Sequence, residues 1–531
     1  SADLENPVLY MHSNTMTEDY NEKRYTLSTQ FLLDFNRTFN NAHNVSALVG
    51  VSNESYTKQA SRIAWEYTDE DLGLPTTDES IQNKDNKNSN NDTDQTSITS
   101  VFGRVGYNYM DKYYGDVSFR YDGSSKFAKD QRWGFFPSFS AGWRLSEEAF
   151  MDTYKSNIGD LKLRASYGVL GNQNVDNYSY QTVYQMNNNG YVFNGISVPG
   201  TSYTDGNAFL TWEKSANFNI GADATFLNGN LFLSVDYFDK KTSNILLTPE
   251  VSSIYGGSAA KENAGEMKNR GWELTINYKL NSGDFQHNFN FNISDSKNKV
   301  TDFGGKERID QNDQLYKLIR EGQPLGSYFG YKTDGLFQSY DEIANSALPV
   351  GASVQPGDVK YVDQNNDGVI DEKDRVILGN AFPRYTFGFT YNMTWKGFDL
   401  NVMLQGVGKR SMYLRGELIE PFHSNYSYCI YQHQLDFWTP TNPDAQWPRL
   451  VAPGSSSSTN NWGMAGSDIY LLNAAYLRVK NIQIGYTLPK ALTQKFGVQK
   501  LRVSVNTENP LTFTKNSFID PESSEFGSDM G

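Results

Sequence analysis

The stretch RYTFGFTYNMTWKGFDLNVMLQG, residues Arg384–Gly406, decides the fold of this chain. Apolar and small polar side chains alternate along its first half, which predicts a β-strand with one apolar and one polar face. Lys396-Gly397 predicts a two-residue turn, because glycine supplies the positive φ that such turns need. The return strand then continues the apolar face from Phe398 to Leu404. The apolar face of the first strand comprises Tyr385, Phe387, Phe389, Tyr391, Met393 and Trp395.

The same alternation recurs along the chain in pairs of segments, and each pair predicts a β-hairpin. Seven pairs give about 14 strands, and many of them run for nine residues or more. One segment breaks the pattern, because Arg478 and Lys480 share parity with the apolar Ile482 and Ile484. The paired segments are 27–35 with 45–51, 101–109 with 113–121, 135–145 with 161–169, 218–226 with 231–237, 272–280 with 285–293, 385–395 with 398–404 and 477–488 with 501–505.

The connections between these segments differ in length. Turns within hairpins are mostly short, whereas the connections between hairpins are long and polar, as at 59–94, 171–207, 240–263, 302–383 and 408–473. Long loops on one side and tight turns on the other are typical of outer-membrane barrels. A soluble antiparallel sheet with one buried face is the alternative that also produces alternation. We predict an all-β chain forming a transmembrane antiparallel β-barrel with long extracellular loops.

The composition restricts the functions that are open to the chain. It has 531 residues, of which 14% are aromatic, and no run of about 18 apolar residues that would form a transmembrane helix. The formal net charge of −14 disfavours nucleic acid as a partner. The single Cys429 rules out an internal disulfide. Two polar low-complexity stretches, Gln82–Gln95 and Ser455–Asn461, predict mobile loops in solvent.

Residues 363–374, DQNNDGVIDEKD, match a twelve-residue calcium loop of the EF-hand type. Hard oxygen ligands at these spacings favour calcium over a softer metal, and Gly368 allows the sharp turn at the sixth position. The last position departs from the pattern, because Asp374 stands where a bidentate Glu is usual. An Asn/Asp/Gly-rich turn held by side-chain-to-backbone hydrogen bonds is the alternative. We predict a structural calcium site formed by Asp363, Asn365, Asp367, Val369, Asp371 and Asp374.

No catalytic site emerges from the sequence, and we expect the chain not to be an enzyme. Its five histidines are scattered, and it has no glycine-rich phosphate loop followed by lysine. Charged residues on the polar faces either line a polar lumen or belong to ordinary solvated sheet surface. Aromatic residues of the loops either stack on sugars or peptides or pack within the loops. The charged residues are Arg104, Arg120, Lys162, Arg164, Glu273 and Lys279, and the aromatic ones are Tyr426, Tyr428, Tyr431, Trp438, Trp447 and Trp462.

Several stretches together resemble the SusC/RagA family of TonB-dependent outer-membrane transporters of Bacteroidetes. They cover most of the chain from about residue 100 onward, and their combination is specific although each alone is modest. The stretches are FRYDGSSKF at Phe119–Phe127, WGFFPSFSAGWRL at Trp133–Leu145, LKLRASYGVLGNQN at Leu161–Asn174, PLGSYFGYKTDGLFQ at Pro324–Gln338, Gly357–Arg375, Gly379–Gly408, FWTPTNPDA at Phe437–Ala445 and LLNAAYLRVKNIQIGYTLP at Leu471–Pro489.

The resemblance implies a barrel of about 22 strands that is occluded by an N-terminal plug and surrounded by outer-membrane lipid. It also implies two partners, a SusD-like surface lipoprotein that caps the barrel and the TonB complex that supplies energy. The expected function is active import of glycan or peptide fragments, and the sequence does not identify the residues that bind them. Two alternatives are a surface binding protein or adhesin on a barrel platform and a soluble secreted β enzyme with a calcium loop.

The chain departs from the family pattern at both ends. It starts at Ser1 without a methionine, and we find no plug, no TonB-contacting segment and no final strand ending in an aromatic residue. We therefore predict that residues 1–531 form a partial barrel, about strands 8–21 of the family's 22. Such a piece leaves sheet edges unpaired, so we expect the working molecule to contain more polypeptide, joined through the missing N-terminal region to the TonB complex.

Overall fold

A long antiparallel sheet dominates the computed structural model, which describes residues 16–67, 82–83, 90–153, 158–193, 196–249, 259–311, 314–423, 429–464, 466–516 and 518–523. Fourteen long strands follow one another across this sheet in chain order, each antiparallel to its neighbours. They are β1 Met16–Phe39, β2 His43–Tyr67, β3 Asn90–Tyr109, β4 Tyr113–Ser124, β5 Trp133–Arg144, β6 Ile158–Asn172, β7 Glu213–Phe226, β8 Leu231–Ser243, β9 Glu266–Ser282, β10 Phe285–Asp302, β11 Arg384–Trp395, β12 Phe398–Lys409, β13 Tyr476–Thr487 and β14 Arg502–Thr514.

The predicted hairpins are all present in the sheet. In the hairpin of β11 and β12, Trp395 pairs with Phe398 as the alternation requires. Lys396 and Gly397 both have positive φ, 45° and 90°, which is the backbone twist that matches two flanking strands joined by two residues. The tight connections therefore lie at one end of the sheet and the long ones at the other, which confirms the asymmetry predicted from the sequence.

The apolar face of the sheet is open to the surroundings rather than packed against a second sheet. Phe31, Leu33 and Val105 on this face are 70%, 75% and 53% exposed. Apolar side chains that are buried among the described residues lie elsewhere, in clusters formed largely by the long connections. An exposed apolar face of this extent is stable only where hydrocarbon covers it, so it is the lipid-facing side of a membrane sheet.

A β-bulge in β13 explains why basic and apolar residues alternate with the same parity in the sequence of this strand. Against β12, Lys480 is an extra residue, because Val479 pairs with Leu404 and Asn481 with Met403. The register with β14 also shifts here, where Asn509 and Pro510 stand opposite Lys480. One extra residue reverses which side chains point outward. Arg478 therefore points to the polar side, where it is buried, while Ile484 points to the lipid-facing side and is exposed.

The first three strands are much longer than a membrane requires. β1, β2 and β3 have 24, 25 and 20 residues, whereas about 9–11 tilted residues cross the hydrocarbon. Part of this length comes from the stretch that was predicted to be a mobile loop. That prediction is wrong for residues 90–95, which pair with Thr57–Arg62 of β2, and residues 84–89 lie outside the described part of the chain.

Short strands, helices and turns lie in the connections between the long strands. No helix among the described residues has the length and apolarity needed to cross a membrane. The short strands are Gln82–Asn83, Val183–Phe193, Ile196–Thr204, Leu246–Leu247, Glu262–Asn263, Glu307–Asp310, Tyr316–Arg320, Ser327–Tyr331, Thr333–Leu336, Leu348–Pro349, Val359–Tyr361, Val369–Ile370, Arg375–Gly379, Ser411–Tyr413 and Leu471–Asn473. The α-helices are Tyr340–Ala344, Ser456–Ser458 and Lys490–Thr493, beside a π-helix at Thr459–Gly463 and the 3₁₀ turns Lys129–Gln131, Leu145–Glu147, Ala149–Met151, Glu372–Asp374, Gly416–Leu418, Gln432–Leu435, Asp468–Tyr470 and Gln494–Phe496.

Candidate functional site

The polar face of the sheet carries ion pairs that link neighbouring strands. Arg164 on β6 donates to Asp223 on β7, with Nε 2.7 Å from Oδ2, and to Asp236 on β8, with Nη2 2.9 Å from Oδ2. Ser234 donates to Asp223 at 2.7 Å and completes the group. Three adjacent strands thus share one guanidinium, and they present a hydrophilic wall on the side opposite the lipid-facing one.

The other charged residues predicted for this face lie on it as well. Arg104 pairs with Asp116 at 2.6 Å, and Arg120 pairs with Asp122 at 2.7 Å. Lys162 lies over the ring of Tyr114, 4.4 Å from its centroid. Glu273 and Lys279 are exposed. Pairs with this degree of exposure contribute about 0–1 kcal/mol each, so their role is to keep the wall polar rather than to hold the sheet together.

Two of the long connections fold together into one body, which we call the loop module and define as residues 303–383 and 410–475. Its described residues share two buried apolar clusters. The first cluster joins Leu315 and Tyr328 to Tyr413, Leu414, Trp447 and Tyr470. The second joins Tyr331, Val359, Tyr361 and Ile370 to Trp438. Because each cluster draws on both connections, neither connection buries its apolar side chains alone.

Asp358 is the centre of the polar contacts inside the loop module. Its side chain is fully buried, and its oxygens accept hydrogen bonds from Arg449 Nε at 2.9 Å, Ser457 Oγ at 2.5 Å and Asn461 Nδ2 at 3.1 Å. The backbone N–H of Gln355 donates a fourth, at 2.8 Å. A buried carboxylate needs this many partners, because an unpaired one would cost several kcal/mol. Asp358 therefore fastens the first connection to the second.

Residues 455–461 are part of this buried centre, so the prediction of a mobile loop there is wrong. Asn461 Oδ1 accepts from the N–H of Val359 at 2.9 Å, and Asn460 Nδ2 donates to the Val359 carbonyl at 3.0 Å. The Tyr361 hydroxyl donates to the Asn460 carbonyl at 2.5 Å, and burial raises the pKa of this hydroxyl far above its usual value. The polar composition of the stretch reflects hydrogen bonding to the module rather than contact with solvent. The sequence alone gave no signal for Asp358, because its partners lie about 90 to 100 residues away.

The loop aromatics pack within the module rather than present their faces to a ligand. Trp438, Trp447 and Trp462 are 9%, 5% and 6% exposed. Trp447 Nε1 donates to the His433 carbonyl at 2.7 Å, and its ring stacks on Tyr470 with centroids 5.9 Å apart. Tyr431 is half-buried and stacks on His433. Tyr426 and Tyr428 lie outside the described residues.

The stretch predicted to bind calcium forms a tight turn within the loop module. Asp363 accepts from the N–H groups of Asn366 and Gly368, the latter at 2.8 Å, and Gly368 has a φ of 85°. Asp374 is fully buried and accepts from the N–H of Gln364 and of Asp371, both at 2.8 Å. The turn thus has the glycine geometry predicted for the sixth position. The Asp374 carboxylate links the start of the turn to its end through these two hydrogen bonds.

The ligand set of this stretch has the chemistry that calcium prefers, namely carboxylate, amide and carbonyl oxygens. Its oxygens are arranged as acceptors for backbone N–H groups, and no three His, Cys, Asp or Glu side chains within the described ranges gather closely enough to hold a metal ion. Hydrogen bonds from Asn365 and from the N–H of Val369 lower the pKa of Asp367, so this carboxylate is charged at neutral pH. Ile370, the eighth residue of the stretch, is buried.

Comparison with known proteins identifies relatives for nearly the whole chain. The family model described as "TonB dependent receptor-like, beta-barrel" matches residues 3–509. TonB-dependent receptor P26 of Formosa agariphila is 34% identical over 439 residues, which are 81% of this chain and 43% of that protein. TonB-dependent receptor SusC of Bacteroides thetaiotaomicron is 29% identical over 448 residues, which are 80% of this chain and 41% of that protein.

A solved structure shares the fold. The structure of the RagAB peptide transporter superposes with a TM-score of 0.78 at 22% identity, over 95% of this chain and 54% of that chain. The resemblance drawn from the sequence is thereby confirmed at the level of family and fold. The chain spans about half the length of the curated relatives and solved structures that it matches.

Proposed function

This chain belongs to the TonB-dependent receptor-like β-barrel family, whose members are outer-membrane proteins, and we propose that it is the barrel wall and outer loops of an active importer. The observation that carries the proposal is the two-sided sheet: one face is apolar and exposed over fourteen strands, and the other holds charged residues in ion pairs. Such a sheet separates lipid from a hydrophilic passage. The proposal contains no catalytic step, since the family consists of transporters rather than enzymes.

We propose that the cargo is a glycan or peptide fragment too large for a passive pore. RagAB is described as a peptide transporter, which supports a peptide, whereas the similarity to SusC and the sequence resemblance leave a glycan open. The proposed partners are a SusD-like surface lipoprotein, which would meet the loop module, and the TonB complex, which would supply energy. Either cargo would cross along the polar face of the sheet, on which the ion pairs of Arg164 lie.

We also propose that the fourteen strands are about strands 8–21 of a 22-stranded barrel that further polypeptide completes. Among the described residues the sheet runs from β1 to β14 and does not pair these two strands with each other. Unpaired strand edges inside a membrane leave backbone groups without partners, at a cost of several kcal/mol each. The remaining strands would remove that cost by pairing with both edges.

An uptake experiment tests the import proposal against the adhesin. Cells that carry the complete gene, and matched cells lacking it, receive fluorescent glycan and peptide fragments with and without a protonophore. Import predicts that energised cells accumulate one class of fragment, and that the protonophore abolishes accumulation while surface binding persists. Surface binding with no accumulation in energised cells would contradict the importer and favour the adhesin.

We propose in addition that residues 363–374 bind calcium and that the ion stabilises the loop module. The oxygen-rich ligand set of Asp363, Asn365, Asp367, the Val369 carbonyl, Asp371 and Asp374 supports this, as does the glycine turn at Gly368. The bound ion would supply positive charge to a turn that holds five acidic side chains between residues 363 and 374.

The calcium proposal is tested by proteolysis of the complete protein with calcium or with a chelator. Calcium should slow cleavage of the loop module in the wild type, and the double variant Asp363→Ala/Asp367→Ala should lose this protection. The matched control is Asp341→Ala/Asp444→Ala, which removes two exposed carboxylates from the same module. Equal cleavage of the wild type in calcium and in chelator would show that the turn is held by its own hydrogen bonds.

A further inference from the structure

A cluster of cations lies on the outer surface of β8, β9 and β10, on the same face as the lipid-facing side chains. Two rungs of the sheet bring these residues side by side across the three strands. In the first rung, Asp239, Arg270 and Lys297 lie opposite one another on the three strands. In the next rung, Lys241, Lys268 and Lys299 do so. We call Lys241, Lys268, Arg270, Lys297 and Lys299 the basic patch.

The basic patch directly follows the end of the apolar band. The rung before it contains Tyr237 and Trp272, which are exposed on the lipid-facing side, and Asp295, which is buried in an ion pair with Arg384. Side chains two residues apart on a strand share a face, so the patch points outward. Beyond it the strands lead into the long connections rather than the tight turns. The patch therefore lies at the outer-leaflet boundary, at the height of lipid headgroups.

The charges of the basic patch are only partly neutralised. Arg270 Nε lies 2.7 Å from Asp239 Oδ2, and Lys241 Nζ lies 2.5 Å from Glu266 Oε2. Lys268, Lys297 and Lys299 form no salt bridge with any residue that the structure describes. Three positive charges are thus left over on a chain whose formal net charge is −14. Like charges on neighbouring strands repel, so a negatively charged partner would stabilise this arrangement.

The same height on β1, β2 and β3 is almost free of charge, which shows that a basic surface is not a general property of the outer rim. The outward positions of β2 and β3 above their apolar residues pair as Asn53 with Thr99, Ser55 with Ser97 and Thr57 with Gln95. Uncharged hydroxyl and amide groups serve equally well for contact with water. The lysines on β8–β10 therefore call for a specific explanation.

We propose that the basic patch binds the phosphate groups of the anionic glycolipid, lipopolysaccharide, in the outer leaflet around the barrel. The patch lies where headgroups lie, and its charge is complementary to phosphate. Lysine stems lie along apolar surface while their ammonium groups reach the headgroups, and Arg270 adds a planar donor that suits phosphate. The exposed ring of Trp272 next to the patch suits the boundary between acyl chains and headgroups.

The test uses the complete protein in lipid nanodiscs that contain lipopolysaccharide. The triple variant Lys268→Gln/Lys297→Gln/Lys299→Gln should bind the glycolipid on the order of 100-fold more weakly, since each lysine near a charged surface contributes about a factor of five. The matched control is Lys490→Gln/Lys495→Gln/Lys500→Gln, which removes three exposed lysines at the opposite end of the sheet. This control should bind as the wild type does.

Two further measurements keep the proposal testable if the triple variant assembles poorly. The single variant Lys299→Glu should weaken binding by more than fivefold, and enzymatically dephosphorylated lipopolysaccharide should bind the wild type as weakly as intact lipopolysaccharide binds the triple variant. Equal binding of the intact and dephosphorylated forms would overturn the proposal. A loss of a co-purifying acidic protein from the triple variant, with glycolipid binding unchanged, would overturn it in favour of a protein partner.

Discussion

Replacing Asp358 by alanine should detach the two halves of the loop module from each other. The substitution leaves the Arg449 guanidinium without its carboxylate, and it leaves the buried donors Ser457 Oγ and Asn461 Nδ2 without an acceptor. Breaking one side of a buried ion pair costs about 3–5 kcal/mol. Arg449 is 24% exposed in its side chain and recovers part of this cost from water, so we expect about 3 kcal/mol.

Hydrogen exchange of the complete protein measures this loss locally. Amides of the segments 357–361 and 457–463 should exchange about a hundredfold faster, as 3 kcal/mol of local stability corresponds to slightly more than two powers of ten. The wall strands, whose pairing does not involve Asp358, should exchange as in the wild type. Asp341→Ala, which removes an exposed carboxylate from the same module, is the control and should leave both segments unchanged.

Two results would refute the reasoning about Asp358. Unchanged exchange at Val359, whose N–H donates to Asn461, would show that the apolar clusters hold the module together without the polar centre. Additive effects of Asp358→Asn and Arg449→Gln in a double-mutant cycle would show that their contact carries no coupling energy. The reasoning requires the double variant to cost clearly less than the sum of the two.

Three further predictions concern backbone geometry, acidity and parity. Gly357 has a φ of 91°, and a Cβ added there would lie 2.3 Å from the Trp438 ring. Gly357→Ala should therefore destabilise the module by about 2–4 kcal/mol in thermal melts. Gly335→Ala, at a φ of 81° with open space around the added Cβ, should cost only about 1 kcal/mol. The N–H of Gln338 and then Lys360 lower the pKa of Glu342 below its ordinary 4.5. The stabilisation from Glu342 is therefore complete above pH 4.5 and is lost as the pH falls through the lowered pKa. Glu342→Gln should make proteolysis of the module less sensitive to acid below pH 4.5. Deleting Lys480 removes the bulge, so it should turn Arg478 toward lipid and abolish assembly in the outer membrane. Lys480→Ala keeps the extra residue and should assemble normally, as heat-modifiable gel mobility would show.

The wall of the molecule could be predicted from the sequence because the environment of each side chain follows from its place in its own strand. Each strand meets lipid on one side and water on the other, so alternation appears in every segment from 27–35 to 501–505 without knowledge of its neighbours. The turn at Lys396-Gly397 is likewise determined by two adjacent residues. The strand at residues 90–95 and the bulge at Lys480 were not predicted, although the bulge is visible in the sequence as two basic residues, Arg478 and Lys480, on the parity of the apolar ones.

The loop module could not be predicted because its stability depends on contacts between residues that lie far apart in the sequence. Its strands are two to five residues long, too short for alternation to mark them, and they are stable only against partners from the other connection. Ser457 and Asn461 belong to a stretch whose composition is that of a solvent loop, yet both are buried around Asp358. The calcium motif was visible in the sequence because its twelve residues are contiguous, and its ion remains a prediction.

The excess length of β1 and β2 has a consequence for what the cell surface presents to its environment. Strands of 24 and 25 residues extend about 80 Å, or roughly 60 Å along the membrane normal at a tilt near 40°. The hydrocarbon accounts for about 30 Å of this, so a collar of bare strand rises some tens of ångströms over the neighbouring lipids. Antibodies or phage tail fibres that approach the cell meet this collar, in which Glu22 pairs with Arg24 and Lys58 among serine, threonine and amide side chains, before any lipid, which makes it the most accessible epitope of the wall.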